Sequence, residues 1–386
     1  MNERAPIAQP GRSVGVPSRP PSNLTGALPR RLQRMGTVTV GISLPREWVG
    51  ERGLTPGHSV FVRTLPDGSL ILRDRDPERE PVSVSLSVDR AEPVEHLFRR
   101  LIAAYLAGAT EFAIRQPGGL SPEIRAISRT FARRAGHTES VSEEGATLLL
   151  RDVSLGAGPS VPQILRRMFH LVHLLQVDAG TSWTGADFPG PSALAVRDDE
   201  IDRCAWQVER GLRMGGSGAS LGDALRFLLW ARDLERIADH AVLIGEYGSR
   251  LAEAAPPESV RRMLSTYHAQ ALEHLVASNA VAEHPDAAKA NQLLDVGEAL
   301  HETHGALAER ALIRDSSYRW PSPAVRSLGL VLQSIDRTTA YAQNLAEIGL
   351  DRDLDRLTHR GGGPTLRPVL APDNSSTSKR GGQRRT

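Results

Sequence analysis

In Asp233-Leu-Glu-Arg-Ile-Ala-Asp-His-Ala-Val-Leu-Ile-Gly-Glu246, the residues Leu234, Ile237, Ala238, Ala241, Val242 and Gly245 recur at three- and four-residue spacing. That spacing draws one apolar face on an α-helix. Glu235 and Asp239 stand one turn apart beside this face. Like charges so placed cost an isolated helix about 0.2–0.5 kcal/mol, so a cation should compensate: Arg232 and Arg236, or a bound metal. A second version, Ile335-Asp-Arg-Thr-Thr-Ala-Tyr-Ala-Gln-Asn-Leu-Ala-Glu347, follows later in the chain, with Asp336 in the place of Glu235 and Ala340 in that of Asp239.

The repetition extends outward from these motifs. Ile164-Leu-Arg-Arg-Met168 and Val260-Arg-Arg-Met263 each open a helical run. Asp198-Asp-Glu-Ile-Asp202 leads a helix that turns Ile201, Cys204, Ala205, Val208 and Leu212 inward, and Asp295 and Glu298 mark a looser counterpart. The breakers Pro189-Gly190-Pro191, Gly215-Gly216, Pro256-Pro257, Pro285 and Pro321 divide the region into six helices, about 162–181, 191–213, 219–248, 257–281, 287–313 and 322–350. A repeat of this size predicts two homologous three-helix bundles, 160–250 and 256–352.

This pattern resembles the PhoU family, whose members are two tandem three-helix bundles built around a Glu/Asp-x-x-x-Asp motif. Hard cations take several oxygen ligands, and a carboxylate pair on one turn supplies two of them. Glu235 and Asp239 are thus the candidate ligands for a divalent or trivalent metal ion, with Asp199 and Asp202 as the nearest family-like additions. The other reading pairs Glu235 and Asp239 with Arg232 and Arg236. Ala340 leaves the second motif one carboxylate short. His170 and His173, and likewise His301 and His304, share helix faces; without a third ligand they read as hydrogen-bonding residues.

The front of the chain carries a separate resemblance. Arg30-Arg-Leu-Gln-Arg-Met-Gly-Thr-Val-Thr-Val-Gly-Ile-Ser-Leu-Pro-Arg-Glu-Trp48, then Gly53-Leu-Thr-Pro-Gly-His-Ser-Val-Phe-Val62 and Asp67-Gly-Ser-Leu-Ile-Leu72, is similar to AbrB/SpoVT-type swapped-hairpin DNA-binding domains. Thr37 to Leu44 alternates as a strand, Pro45 opens a short helix where a missing N–H costs nothing, and Asp67-Gly68 reads as a tight hairpin turn. Arg30, Arg31, Arg34 and Arg46 are the candidate DNA contacts, able to position a dimer on phosphates and to reach base edges. In that family two chains exchange hairpins to form the fold, which implies a homodimer through the N-terminal domain; retention of the domain for assembly alone is the competing reading. The two halves in this order resemble archaeal phosphate-uptake regulators.

Between these halves, residues 80–153 read as a small α/β module. Val82, Val84, Leu86 and Val88 alternate as a strand, a helix runs from about Val94 to Ala107, and a strand covers Phe112 to Arg115. A second helix with Ser121 as N-cap and Pro122 at its first position then leads to strands at Glu139–Val141 and Thr147–Leu150. Tyr105 reads as a core residue. Residues 1–27 and 355–386 are Pro-, Gly-, Ser- and Arg-rich and read as disordered tails, with the swapped-hairpin domain at 28–76.

Composition narrows the function classes. The 386 residues are 40% apolar with a formal net charge of +2, so nucleic-acid binding must be argued locally. Lys289 and Lys379 are the only lysines among 47 basic residues, an arginine excess that suits phosphate recognition and also follows from a GC-rich coding sequence. Cys204 stands alone, so neither an intrachain disulfide nor a cysteine metal site is available. No apolar run approaches the roughly 18 residues that span a bilayer. The expectation is a cytoplasmic protein without membrane insertion. No nucleophile–base pair or nucleotide fingerprint is present, and the glycine-rich Gly211–Gly222 lacks the Lys-Ser/Thr ending of a phosphate loop, so no catalytic residues and no enzyme activity are expected. The sequence thus predicts a mostly α, mixed fold and a dimeric transcriptional regulator of phosphate uptake. The alternatives are an adaptor acting on phosphate transporter components or a sensor kinase without touching DNA, and a metal-binding bundle.

Overall fold

The computed structural model describes residues 29–64, 70–74, 81–153, 159–185, 187–214, 219–313 and 320–359. The Asp67-Gly68 turn and the tail expected at 1–27 lie outside them. The chain divides into two compact units, 1–61 with 72–75 and 62–71 with 76–386.

In the first unit, β1 (Gln33–Arg34) pairs antiparallel with β2 (Val40–Gly41), with Gln33 opposite Gly41 and Arg34 opposite Val40. The strand expected from Thr37 to Leu44 is therefore only two residues long. Alternation specifies which side chains share a face, but a ladder extends only as far as backbone is available to pair with it. Helix α1 (Arg46–Glu51) follows Pro45 and buries no residue. Arg52 holds Asp74 at 3.2 Å. Strands β3 (Phe61–Thr64) and β4 (Leu70–Arg73) form a two-stranded sheet.

After residues 62–71, the second unit continues with the α/β module. Its elements run β5 (Ser83–Ser87), α2 (Val94–Leu106), β6 (Glu111–Arg115), α3 (Pro122–Ala135), β7 (Thr138–Glu144) and β8 (Thr147–Asp152). The sheet order is β5-β6-β8-β7: β5 and β6 are parallel, and the remaining pairs are antiparallel. Ser121 caps α3 by accepting from the Ile124 N–H, with Pro122 at the first turn. Phe112, Phe131, Leu97, Leu101, Ile114 and Leu150 fill the core, and Phe112 and Phe131 meet edge to face with centroids 5.2 Å apart. Tyr105 belongs to this core, 4% exposed.

Six helices complete the unit: α4 (Val161–Ala179), α5 (Pro191–Arg213), α6 (Leu221–Glu253), α7 (Glu258–Glu283), α8 (Ala287–Ile313) and α9 (Ser322–His359). Ser160 and Gln163 form a capping box at the start of α4. α6 packs against α4 and α5, α9 against α7 and α8, and the two halves join along α6 and α9. One continuous apolar cluster runs through both, from Leu165 and Met168 to Val331 and Leu345.

Two helices outrun their expected ends. α6 continues through Gly248 because this glycine is no breaker: it lets the helix approach Ser182, whose hydroxyl donates to Ile244 O at 3.2 Å. Gly349 does the same for α9 against the Val281 backbone. α9 then runs to His359, so residues 355–359, read from sequence as tail, are helical. Asp355 pairs with Arg226 of α6, Asp353 accepts from the Ala287 N–H, and Arg352 reaches Ala282 O, which anchors the extension.

Candidate functional site

Leu194, Asp198, Ile201, Ala205 and Val208 follow one another at four- and three-residue steps along α5, and all but Asp198 are buried. Asp198 therefore sits on the inward stripe, one turn before Asp202. Across from them, α6 presents Glu235 and Asp239. Five carboxylates, with Asp199, act on one another here. Burial, then the charges of Asp202, Asp239, Asp199 and Glu235, push the Asp198 carboxyl up to about 7. Burial and Glu235 push Asp202 up to about 6 against the opposing charge of Arg134. One oxygen of Asp198, Oδ1, is buried without a hydrogen-bond partner.

The outer carboxylates are committed to arginines. Arg232 donates to Glu235 at 3.1 Å and Arg236 to Asp239 at 3.0 Å, the alternative that the sequence left open beside a metal. Arg232 also reaches the buried Glu209 at 2.8 Å, which Arg213 holds at 2.6 Å. Asp199 pairs with Arg134 of α3, which lies 3.9 Å from Asp202. Uncommitted oxygen is thus concentrated on Asp198 and Asp202. A hard cation takes six or more oxygens, and among the described residues no group of three or more His, Cys, Asp or Glu is placed to hold a metal ion. As arranged, the residues do not fit one.

Asp198 stands beside Asp199 in the sequence, and the signal that marks it as the buried member is its place on the Leu194–Val208 stripe. Asp233, another carboxylate of the first motif, faces α9 instead. Asn344 donates to it at 3.0 Å, while burial, opposed by that bond and reinforced by Glu347, raises it to about 6.

Among the described residues the second half holds no matching cluster. Asp336 is bonded to His301 at 2.8 Å, Ala340 offers no side-chain oxygen, and Asp295 and Glu298 are exposed. His301 is thus a partner of Asp336. His173 lies against the Phe169 ring, with centroids 6.3 Å apart.

The α/β module docks on the helix that carries the aspartates. Arg210 of α5 bonds Tyr105 O and Ala109 O, pairs with Asp152 at 3.1 Å and stacks 4.2 Å from the Tyr105 ring centroid. Both charges of the Arg210–Asp152 pair are largely buried, and removing one partner alone costs about 3–5 kcal/mol. Phe98 and Trp206 pack beside it with centroids 6.4 Å apart.

The first unit carries the other candidate residues. Arg34 ends β1, Arg46 begins α1, and Arg30 and Arg31 precede β1. All four are exposed, and none makes an ion pair among the described residues. No described residue between 29 and 61 is buried. Leu32, Met35, Val38, Val40 and Ile42 are 73, 66, 92, 60 and 53% exposed, an apolar surface that no described residue buries.

Residues 165–248, spanning α4, α5 and most of α6, match the PhoU domain family. Comparison with curated proteins returns no match. Among solved structures, PhoU from Pseudomonas aeruginosa is similar with a TM-score of 0.39 at 20% identity, over 50% of this chain and 96% of that one. No described helix is long and apolar enough to cross a membrane.

Proposed function

We propose that the protein is a dimeric regulator of phosphate uptake, in which the N-terminal unit binds operator DNA and the PhoU-like helices relay phosphate status. The match of residues 165–248 to the PhoU domain carries the regulatory reading. Phosphate enters through the resemblance to phosphate-uptake regulators. The DNA part is supported by four exposed arginines without carboxylate partners among the described residues, on a unit whose apolar side chains are exposed. Arginine contacts to phosphates would supply affinity and register, and one or two side chains would read bases.

A gel-shift titration against DNA from the protein's own or a neighbouring phosphate-transport promoter tests this. Arg34→Ala with Arg46→Ala should weaken binding about tenfold or more and leave the dimer intact, and wild-type affinity should fall steeply with salt. A wild-type protein that shifts no such DNA removes the DNA reading.

Leu221, Leu225 and Leu229 favour the adaptor as a second reading. They lie four residues apart on the first turns of α6 and are 77, 54 and 57% exposed, a stripe suited to a partner such as a transporter component or sensor kinase. On that reading the wild-type protein shifts no phosphate-transport promoter DNA, and Leu225→Glu abolishes both regulation and binding to the transporter component or sensor kinase.

A further inference from the structure

A cleft of about 600 Å³ between α3 and the β7–β8 hairpin has no part in the sites above. Ligand pockets occupy about 300–1,000 Å³. α3 lines it with two rows. Ser128 and Ala132, four residues apart, leave little bulk where the helix faces the sheet, Gly136 lies on the lining just past the helix end, and Arg125, Arg129 and Arg133 run beside them. Each four-residue step advances about 6 Å along the axis with little rotation, so each row keeps to its own side of the cleft.

The polar groups here are unevenly satisfied. Arg125 is committed to Glu143, its Nε and Nη2 donating at 2.9 and 2.6 Å, and these bonds hold the Glu143 carboxyl below its usual range. Arg129 and Arg133 have no ion-pair partner among the described residues, and Glu139 is the other carboxylate on the lining. Ser128 Oγ and Thr138 Oγ1 are buried, the residues 0 and 6% exposed, and neither hydroxyl has a hydrogen-bond partner. Leaving a buried hydroxyl unbonded costs the full desolvation of that group. Guanidinium groups only donate and hydroxyls readily do so, which makes the missing partner an acceptor with several oxygens.

Donors reach this cleft from three places: the arginine row, the helix floor at Ser128 and the strand at Thr138. A carboxylate offers two oxygens in one plane. A phosphate offers three in different directions and matches the guanidinium fork. Leu148, Leu150 and Val153 add an apolar wall for a carbon body. We propose that this cleft binds a phosphate-bearing small organic molecule, with its phosphate on Arg129, Arg133, Ser128 and Thr138. The inference uses nothing from the N-terminal unit and stands apart from the DNA reading.

Isothermal titration of the full chain with AMP, glucose 6-phosphate, inorganic phosphate and adenosine tests it. At least one phosphomonoester should saturate a single site per chain and bind more tightly than inorganic phosphate, while adenosine gives no heat of binding. Arg129→Gln with Arg133→Gln should weaken that binding by about tenfold or more. Ser128→Ala should weaken it several-fold, yet the ligand-free variant should melt at the same or a higher temperature, because the unbonded hydroxyl is gone. The proposal is overturned if neither phosphomonoester binds wild type, if inorganic phosphate binds as tightly as both, or if the double variant, shown folded by its melt, binds unchanged.

Discussion

Gln176 sits where the periodicity of α4 assigns a core side chain, and it is fully buried. Its amide donates to Ile237 O at 3.0 Å and to the Thr338 hydroxyl at 3.1 Å, while its oxygen lies 3.1 Å from His268 Nε2. One side chain therefore ties α4 to α6, α7 and α9. Burial holds the His268 ring down to about 4, and His274, whose ring nitrogens have no partner, down to about 4 as well. Unfolded, both rings take a proton near 6.5; folded, they resist until about 4. Between those values the unfolded state binds more protons, so this part of the stability is complete above about pH 6.5 and is lost as pH falls toward 4. Asp198, Asp202 and Asp233, whose raised carboxyls bind protons in the folded state over the same range, act in the opposite direction. The histidine part therefore shows as a difference, with His274→Leu losing less melting temperature, or gaining more, than wild type between about pH 6.5 and 4. An unchanged slope in His274→Leu and His268→Gln together would clear the two rings. Neither residue was legible as special. Sequence spacing drew attention to His170, His173, His301 and His304, whereas the buried state of His268 depends on a glutamine 92 positions away.

The helices themselves were legible: repeated motifs, Pro and Gly breakers and apolar periodicity placed all six of the C-terminal region. The commitments of their carboxylates were not, because the deciding arginines include Arg134, which reaches Asp199 from a different module 65 residues upstream. α5 is consequently a shared strut, with one side held by Arg134 and by Arg210's partners and the other carrying Asp198 and Asp202 toward α6. A divalent ion entering there must displace Arg232 and Arg236 from Glu235 and Asp239. If metal binds, its stoichiometry should be nearer one than two per chain, because His301 already engages Asp336 and Ala340 lacks a carboxylate. Metal content after dialysis against manganese or magnesium should fall in Glu235→Gln with Asp239→Asn, rise in Arg236→Ala, and stay level in Asp336→Asn. A double-amide variant that keeps its full load returns these carboxylates to the role of arginine partners.

The molecule as a whole is unevenly finished. The unit from 62–71 and 76–386 has two apolar cores, whereas residues 29–61 expose Leu32, Met35, Val38, Val40 and Ile42 and bury none. The alternation of Thr37 to Leu44 predicts a strand of which Val40–Gly41 alone is paired, and no single-chain pattern can show whether the rest pairs with another copy. A unit this small rarely sustains a core alone, and an uncovered apolar ladder is an edge that pairs with whatever strand it meets. Exchange of hairpins between two chains, as proposed above, would cover the edge and the apolar face together. Multi-angle light scattering of the full chain should therefore give a dimer at micromolar concentration. Val40→Asp with Ile42→Asp should shift it to monomer, and the helical signal in circular dichroism should persist because the bundles have their own core. DNA affinity should fall with the dimer even though Arg30, Arg31, Arg34 and Arg46 are all retained. A wild-type protein that is monomeric and melts as a folded chain sinks the shared-core argument. A dimer that survives both aspartates places the interface elsewhere, with the leucine stripe of α6 as the surface to test next.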